Sequence, residues 1–139
     1  MSLITSGSAS DFLAFKPGPT SADTSTAATG PYHSVVGARQ ICGVISLATV
    51  LQGSTVTVRL MQATSAGGAD SKLLKEVEVV IPADDPAVSI PYTLSVNASA
   101  SDLDQNGFNF VAVQIETSVE DLAGSGLLVL GGLRFNPAV

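Results

Sequence analysis

Thr55-Val56-Thr57-Val58-Arg59-Leu60-Met61-Gln62 alternates between polar and apolar residues almost without a break. Val56, Val58 and Leu60 fall on one side of an extended chain, and Thr55, Thr57 and Arg59 on the other. A two-residue period fits a strand with one face on a core, and it does not fit the 3.6-residue period of a helix. The same grammar recurs on both sides of this segment. Upstream of the turn Gln52-Gly53-Ser54, residues 34–51 hold Val35, Val36, Ile41, Val44, Ile45, Leu47 and Val50, broken by Gly37 and Gly43. They predict one bent strand or two. Downstream, Thr64–Asp70 (TSAGGAD) predicts a Gly-rich hairpin loop, and Leu74–Ile81 alternates again, with Val77 and Val79 opposite Glu76 and Glu78.

Beyond the turn Pro82-Ala83-Asp84-Asp85-Pro86, Val88–Val96 predicts a strand whose Pro91 assigns it to an edge or a bulge. Asn97–Gly107 is a polar connection with room for one helical turn near Ala98–Leu103. Phe108–Thr117 places Val111, Val113 and Ile115 inward, and Leu127–Phe135 predicts a last strand interrupted by Gly131-Gly132. No segment sustains helical periodicity over ten residues, and there is no internal repeat. Six or seven short strands punctuated by Gly and Pro predict an all-β, antiparallel β-sandwich or jelly-roll-like domain over residues 34–139. Its expected core is Val56, Val58, Leu60, Val77, Val79, Val111, Val113 and Ile115.

Residues 1–33 differ. The cluster Phe12-Leu13-Ala14-Phe15 is followed by Lys16-Pro17-Gly18-Pro19 and then by a Ser/Thr/Ala run without apolar periodicity. A mobile terminus has no need of such a cluster, so the segment predicts an extended N-terminal arm that orders against a neighbouring subunit. Phe12, Leu13 and Phe15 are its expected anchors.

Composition narrows the function. The chain has 139 residues, 45% of them hydrophobic and only 13% charged, against about 25% charged in an ordinary soluble domain. Twelve Asp and Glu face six Lys and Arg, for a net charge of −6. Nucleic-acid binding needs the opposite sign. The mean hydropathy is +0.40, yet no apolar run reaches the roughly 18–20 residues of a membrane helix, so no membrane partner is expected. The first residues, MSLITSGSAS, lack the basic start and apolar centre of a secretory signal. One Cys and one His are too few soft ligands for zinc, and no cofactor is expected.

Individual residues carry little catalytic signal. His33-Ser34 lacks the context of a nucleophilic site, so His33 is expected to be solvated at the junction of arm and domain. Cys42, between Ile41 and Gly43, is expected to pack in the core. Asp102-Leu103-Asp104-Gln105-Asn106-Gly107 reproduces the first half of an EF-hand loop, but Val113 stands where the bidentate Glu should be and no helices flank it. It predicts a capped turn into Gly107, with a calcium site near Asp102 and Asp104 as the alternative. Asn97-Ala98-Ser99 is a sequon without a secretory signal beside it. The glycines open no helix, so no phosphate loop is implied. Outward positions rich in Thr, Ser, Ala, Gly and Gln read instead as surface buried in a permanent assembly.

Four segments carry a resemblance: Val35-Val36-Gly37-Ala38-Arg39-Gln40-Ile41, the run from Leu51-Gln52-Gly53-Ser54 to Gln62-Ala63-Thr64, Leu103-Asp104-Gln105-Asn106-Gly107-Phe108-Asn109-Phe110-Val111-Ala112-Val113, and Gly131-Gly132-Leu133-Arg134-Phe135-Asn136-Pro137-Ala138. Together they resemble the small β-rich virion proteins encoded beside the major capsid protein in tailed bacteriophages. Residues 34–139 are covered, and Glu76 to Val96 departs most. The resemblance implies a capsid cement or decoration protein, made in the host cytoplasm and carried on the outer capsid surface of the virion. Such a protein would bind the major capsid protein and itself, as a trimer suited to local three-fold positions or as a dimer. It would hold no catalytic residues. Arg134 and Phe135 are the expected C-terminal contact. Competing readings are a head-fibre, neck or tail component, a carbohydrate-binding or adhesin module, and a hydrolase using His33.

Overall fold

The computed structural model describes residues 14–21, 28–47, 53–80, 92–118 and 124–132. Nine strands occur there: β1 Ala14–Ser21, β2 Ala28–Thr29, β3 His33–Ser34, β4 Gln40–Leu47, β5 Thr55–Ala63, β6 Lys72–Val80, β7 Tyr92–Ser99, β8 Phe110–Thr117 and β9 Gly124–Gly131. One sheet has the order β1-β9-β4-β7. The other has β2-β8-β5-β6, with β3 beside β2 on the same edge of β8. Every pairing is antiparallel. Apart from the β5–β6 hairpin and the neighbours β2 and β3, successive strands switch sheets. This is a jelly-roll sandwich, in which both sheets depend on pairings between distant parts of the chain.

The alternation read from the sequence sets the inner faces. Val56, Val58, Leu60, Val111, Val113 and Ile115 of one sheet meet Ile41, Ile45, Leu47, Val96, Leu128 and Leu130 of the other. A fully buried side chain of this size contributes about 1.5–3 kcal/mol. Val77 and Val79 pack against this core but are only partly buried, because β6 is an edge strand. Between the large side chains sits Gly43, where an added Cβ would lie 3.0 Å from Leu60 Cδ2 and 3.2 Å from Val96 Cγ1. The residue opposite the bulky sheet has no room for a side chain.

Residues 34–51 divide where Gly37 takes a positive φ of 89°. Ser34 stays with β8 in one sheet and Gln40 starts β4 in the other. β7 lies at a sheet edge, as Pro91 implied, and the helical turn is a short 3-10 segment, Ala100–Asp102.

The division at residue 34 is not a structural boundary. Ala14 to Pro17 pair with Leu130 to Leu127, while Ala28–Thr29 and His33–Ser34 both pair with β8. Part of the expected arm therefore belongs to the chain's own two sheets. Pro-Gly-Pro is tolerated because β1 is an edge strand whose ladder shifts register between Pro17 and Thr20.

Candidate interaction surfaces

The outer face of the β1-β9-β4-β7 sheet is fixed by register. One row runs Phe15–Val129–Cys42–Asn97 and the next Pro17–Leu127–Val44–Ser95. Serine and threonine flank them in the row Ser125–Ser46–Thr93. Phe15 is 52% exposed and Leu127 37%, while Cys42, Val44 and Val129 are half-buried. No outward position in these rows is charged. Cys42, expected in the core, lies on this outer face, because Ile41 and Gly43 take the inward positions beside it. Burial pushes its thiol pKa up.

The opposite outer face is built on charge. Arg59 donates from Nε to Glu76 at 2.7 Å, from Nη1 to Gln114 at 3.0 Å and from Nη2 to Glu116 at 3.0 Å. Gln114 passes the chain of bonds to Thr29 Oγ1 at 2.7 Å. This polar belt crosses β6, β5, β8 and β2. Glu76 and then Glu116 hold the guanidinium pKa above its ordinary value, against burial. Beside the belt an open groove of about 310 Å³ is lined by Thr55, Thr57, Arg59, Glu78, Glu116, Thr117 and Ser118. Thr57 is almost wholly buried although it faces outward.

A second groove, of about 350 Å³, lies at one end of the sandwich between residues 35–38 and 100–109. Its acidic loop is held by its own carboxylates. Asp102 accepts from the Ser99 amide at 2.9 Å, and Asp104 accepts from the Asn106 amide at 2.9 Å and from Lys72. The Lys72 ammonium also sits 4.4 Å from the centre of the Phe108 ring. Hydrogen bonds from Lys72 and then from Asn106 hold the Asp104 carboxyl below its ordinary 3.8. The inward Gln62 joins this loop to β5, accepting from the Asp104 amide at 2.9 Å and donating to the Leu73 carbonyl. The geometry matches the expected capped turn, and among the described residues no group of three or more His, Cys, Asp and Glu could hold a metal.

His33 is half-buried and donates from Nε2 to the Pro17 carbonyl at 2.9 Å. It joins the two sheets at their edges instead of standing in solvent. Of the expected contact residues, Phe15 is on the outer face of the first sheet. Phe12, Leu13, Arg134 and Phe135 lie outside the described residues. Leu127, Val129 and Val44, which complete the patch around Phe15, were missed because apolar residues on strands read as core.

No family model and no curated protein matches the chain. Solved structures do. A carbohydrate-binding module specific for non-crystalline cellulose is 12% identical, with 88% of this chain and 73% of that one covered and a TM-score of 0.46. The SPBc2 prophage-derived protein YomS is 8% identical over 85% of this chain and 93% of that one, at 0.45. A protein of disulfide-linked Bacillus endospore appendages is 12% identical over 87% and 83%, at 0.39.

Proposed function

We propose that this chain is a non-enzymatic structural protein of a tailed-phage particle, a cement or decoration protein seated on the outer capsid surface. The observation that carries the reading is the uncharged outer face of the β1-β9-β4-β7 sheet, in a chain with half the usual charge. An isolated domain keeps such a surface small, whereas assembly proteins bury it against partners. The jelly-roll sandwich suits the role, since it recurs in viral capsid and lectin domains. The resemblance of residues 34–139 to virion proteins supplies the rest. Attachment would be repeated over a symmetric shell, so that modest single contacts sum to firm binding.

The test is co-sedimentation of the purified chain with shells assembled from the major capsid protein of a tailed phage that carries this chain. Saturable binding at a fixed number of copies per capsomer, with a raised melting temperature of the shell, is the expected result. Free chain left in the supernatant at every concentration overturns the proposal. The groove beside Arg59, lined by hydroxyls and carboxylates, favours a second reading as a carbohydrate-binding module. Selective hits on a glycan array, combined with no shell binding, would establish that reading instead.

A further inference from the structure

We infer that the outer face of the β1-β9-β4-β7 sheet is a self-association surface, and that it pairs with the same face of a second copy across a two-fold axis. The inference rests on the geometry and charge of this chain and not on the capsid reading.

Charge selects the occupant and the face. Each copy carries a net −6, so any contact that sets carboxylates against carboxylates is opposed. The outer face of the other sheet carries Glu76, Glu78 and Glu116 around the single cation Arg59, and stacking two such faces would confront an excess of like charge. The β1-β9-β4-β7 face sets none against none. Its central band of Phe15, Val129, Cys42, Pro17, Leu127 and Val44 meets itself under a two-fold, with the hydroxyl-bearing row Ser125–Ser46–Thr93 on one side and the uncharged row Gly131–Gln40–Ser99 on the other.

Edge-to-edge pairing is hindered at two flanks. β1 lacks amide donors at Pro17 and Pro19 and shifts register there. β6 carries Lys72, Lys75, Glu76 and Glu78 along its length. Both are devices that discourage strand addition. The face remains.

Its size fits a reversible dimer. Four strands spaced about 4.8 Å apart and eight residues long at about 3.4 Å each span roughly 500 Å² per copy. Two copies bury on the order of 1,000 Å², the lower bound of a specific interface. An isologous contact closes at two copies. The homo-oligomer is therefore a dimer, not the trimer suggested by shell symmetry.

Sedimentation velocity of the full chain, from low to high micromolar concentration, tests this. The mass should rise from 14.0 kDa toward twice that value. Leu127→Glu and Phe15→Glu, at exposed positions that leave the circular dichroism unchanged, should each weaken the dimer about tenfold or more by placing carboxylates in an apolar contact. Val80→Glu adds the same charge at a position on β6 that is 61% exposed and should leave the dimer intact. Alkylation of Cys42 should slow as the wild-type dimer fills and stay fast in Leu127→Glu. A wild-type monomer at all concentrations overturns the inference, whether Cys42 is open or is shielded by the chain's own terminal residues. So does a dimer that tolerates both substitutions. Both proposals draw on this face, but shell binding is read separately, so a monomer that still binds shells overturns only the self-association.

Discussion

The two sheets of this sandwich share a core but are specified by opposite means. The β2-β8-β5-β6 sheet presents bulky Val, Leu and Ile inward and a hydrogen-bonded belt centred on Arg59 outward. The β1-β9-β4-β7 sheet makes room inward with Gly43 and Gly126 and presents an uncharged surface outward. The first sheet is told which face is which by polarity. The second takes its register from its neighbours, since its outer face is uncharged and its inner face is apolar except for Lys16 at the β1 edge. A sheet without a polar side is free to bury its outer face, whereas a sheet with a salt-bridged outer face is committed to water.

This contrast can be broken first where the sheets meet. Gly43→Val pushes a branched side chain against Leu60, Val96 and Val113. It should cost about 3 kcal/mol by overpacking, or prevent folding, as read by urea denaturation. A cost under about 0.5 kcal/mol would show that the close approach of the sheets is not needed. Arg59→Leu should be much milder. The carboxylates it serves are 42% and 39% exposed, and such pairs are worth about 1 kcal/mol or less. Chemical denaturation should show a small loss at low salt that shrinks at high salt, because Glu76, Glu78 and Glu116 are then screened. A loss as large as that of Gly43→Val would mean that the polar belt organises the sheet.

The smallest expected effect concerns pH. The folded pKa of Asp104 is depressed, so its contribution is present above the unfolded value. It fades as pH falls through the folded one. The melting temperature should therefore drop below about pH 4, and Asp104→Asn should make that drop shallower. An unchanged acid slope in Asp104→Asn would show that the bonds from Lys72 and Asn106 do not survive in solution.

The same contrast explains what could be read before the structure. β5, β6 and β8 were legible because their outward Thr57, Arg59, Glu76, Glu78, Gln114 and Glu116 mark the period. β4 was legible as a strand but not in phase: its outward Cys42 and Val44 are apolar, and its inward Gly43 has no side chain to announce a core. The strand's phase therefore has to come from its partners, which place Cys42 outward. β1 does not announce itself as a strand, because Pro17-Gly18-Pro19 breaks local structure. Only the partner strand shows that an edge can absorb those residues, where Gly18 rests directly on the Gly126 backbone. The groove beside Arg59 had no local signature, since Glu76 and Glu116 meet the arginine only through two separate pairings.

The pairing of Ala14 with Leu130 also sets a timetable. At synthesis rates of about 5–20 residues per second, β9 leaves the ribosome on the order of ten seconds after β1. During that interval β1 has no strand to lie on, and β4 lacks the neighbour that separates it from β1. The β5–β6 hairpin can close as soon as residue 80 has emerged, so the charged sheet starts first and the neutral one is completed last. The surface most apt to stick to another chain is thus completed only by the last of the described strands to emerge.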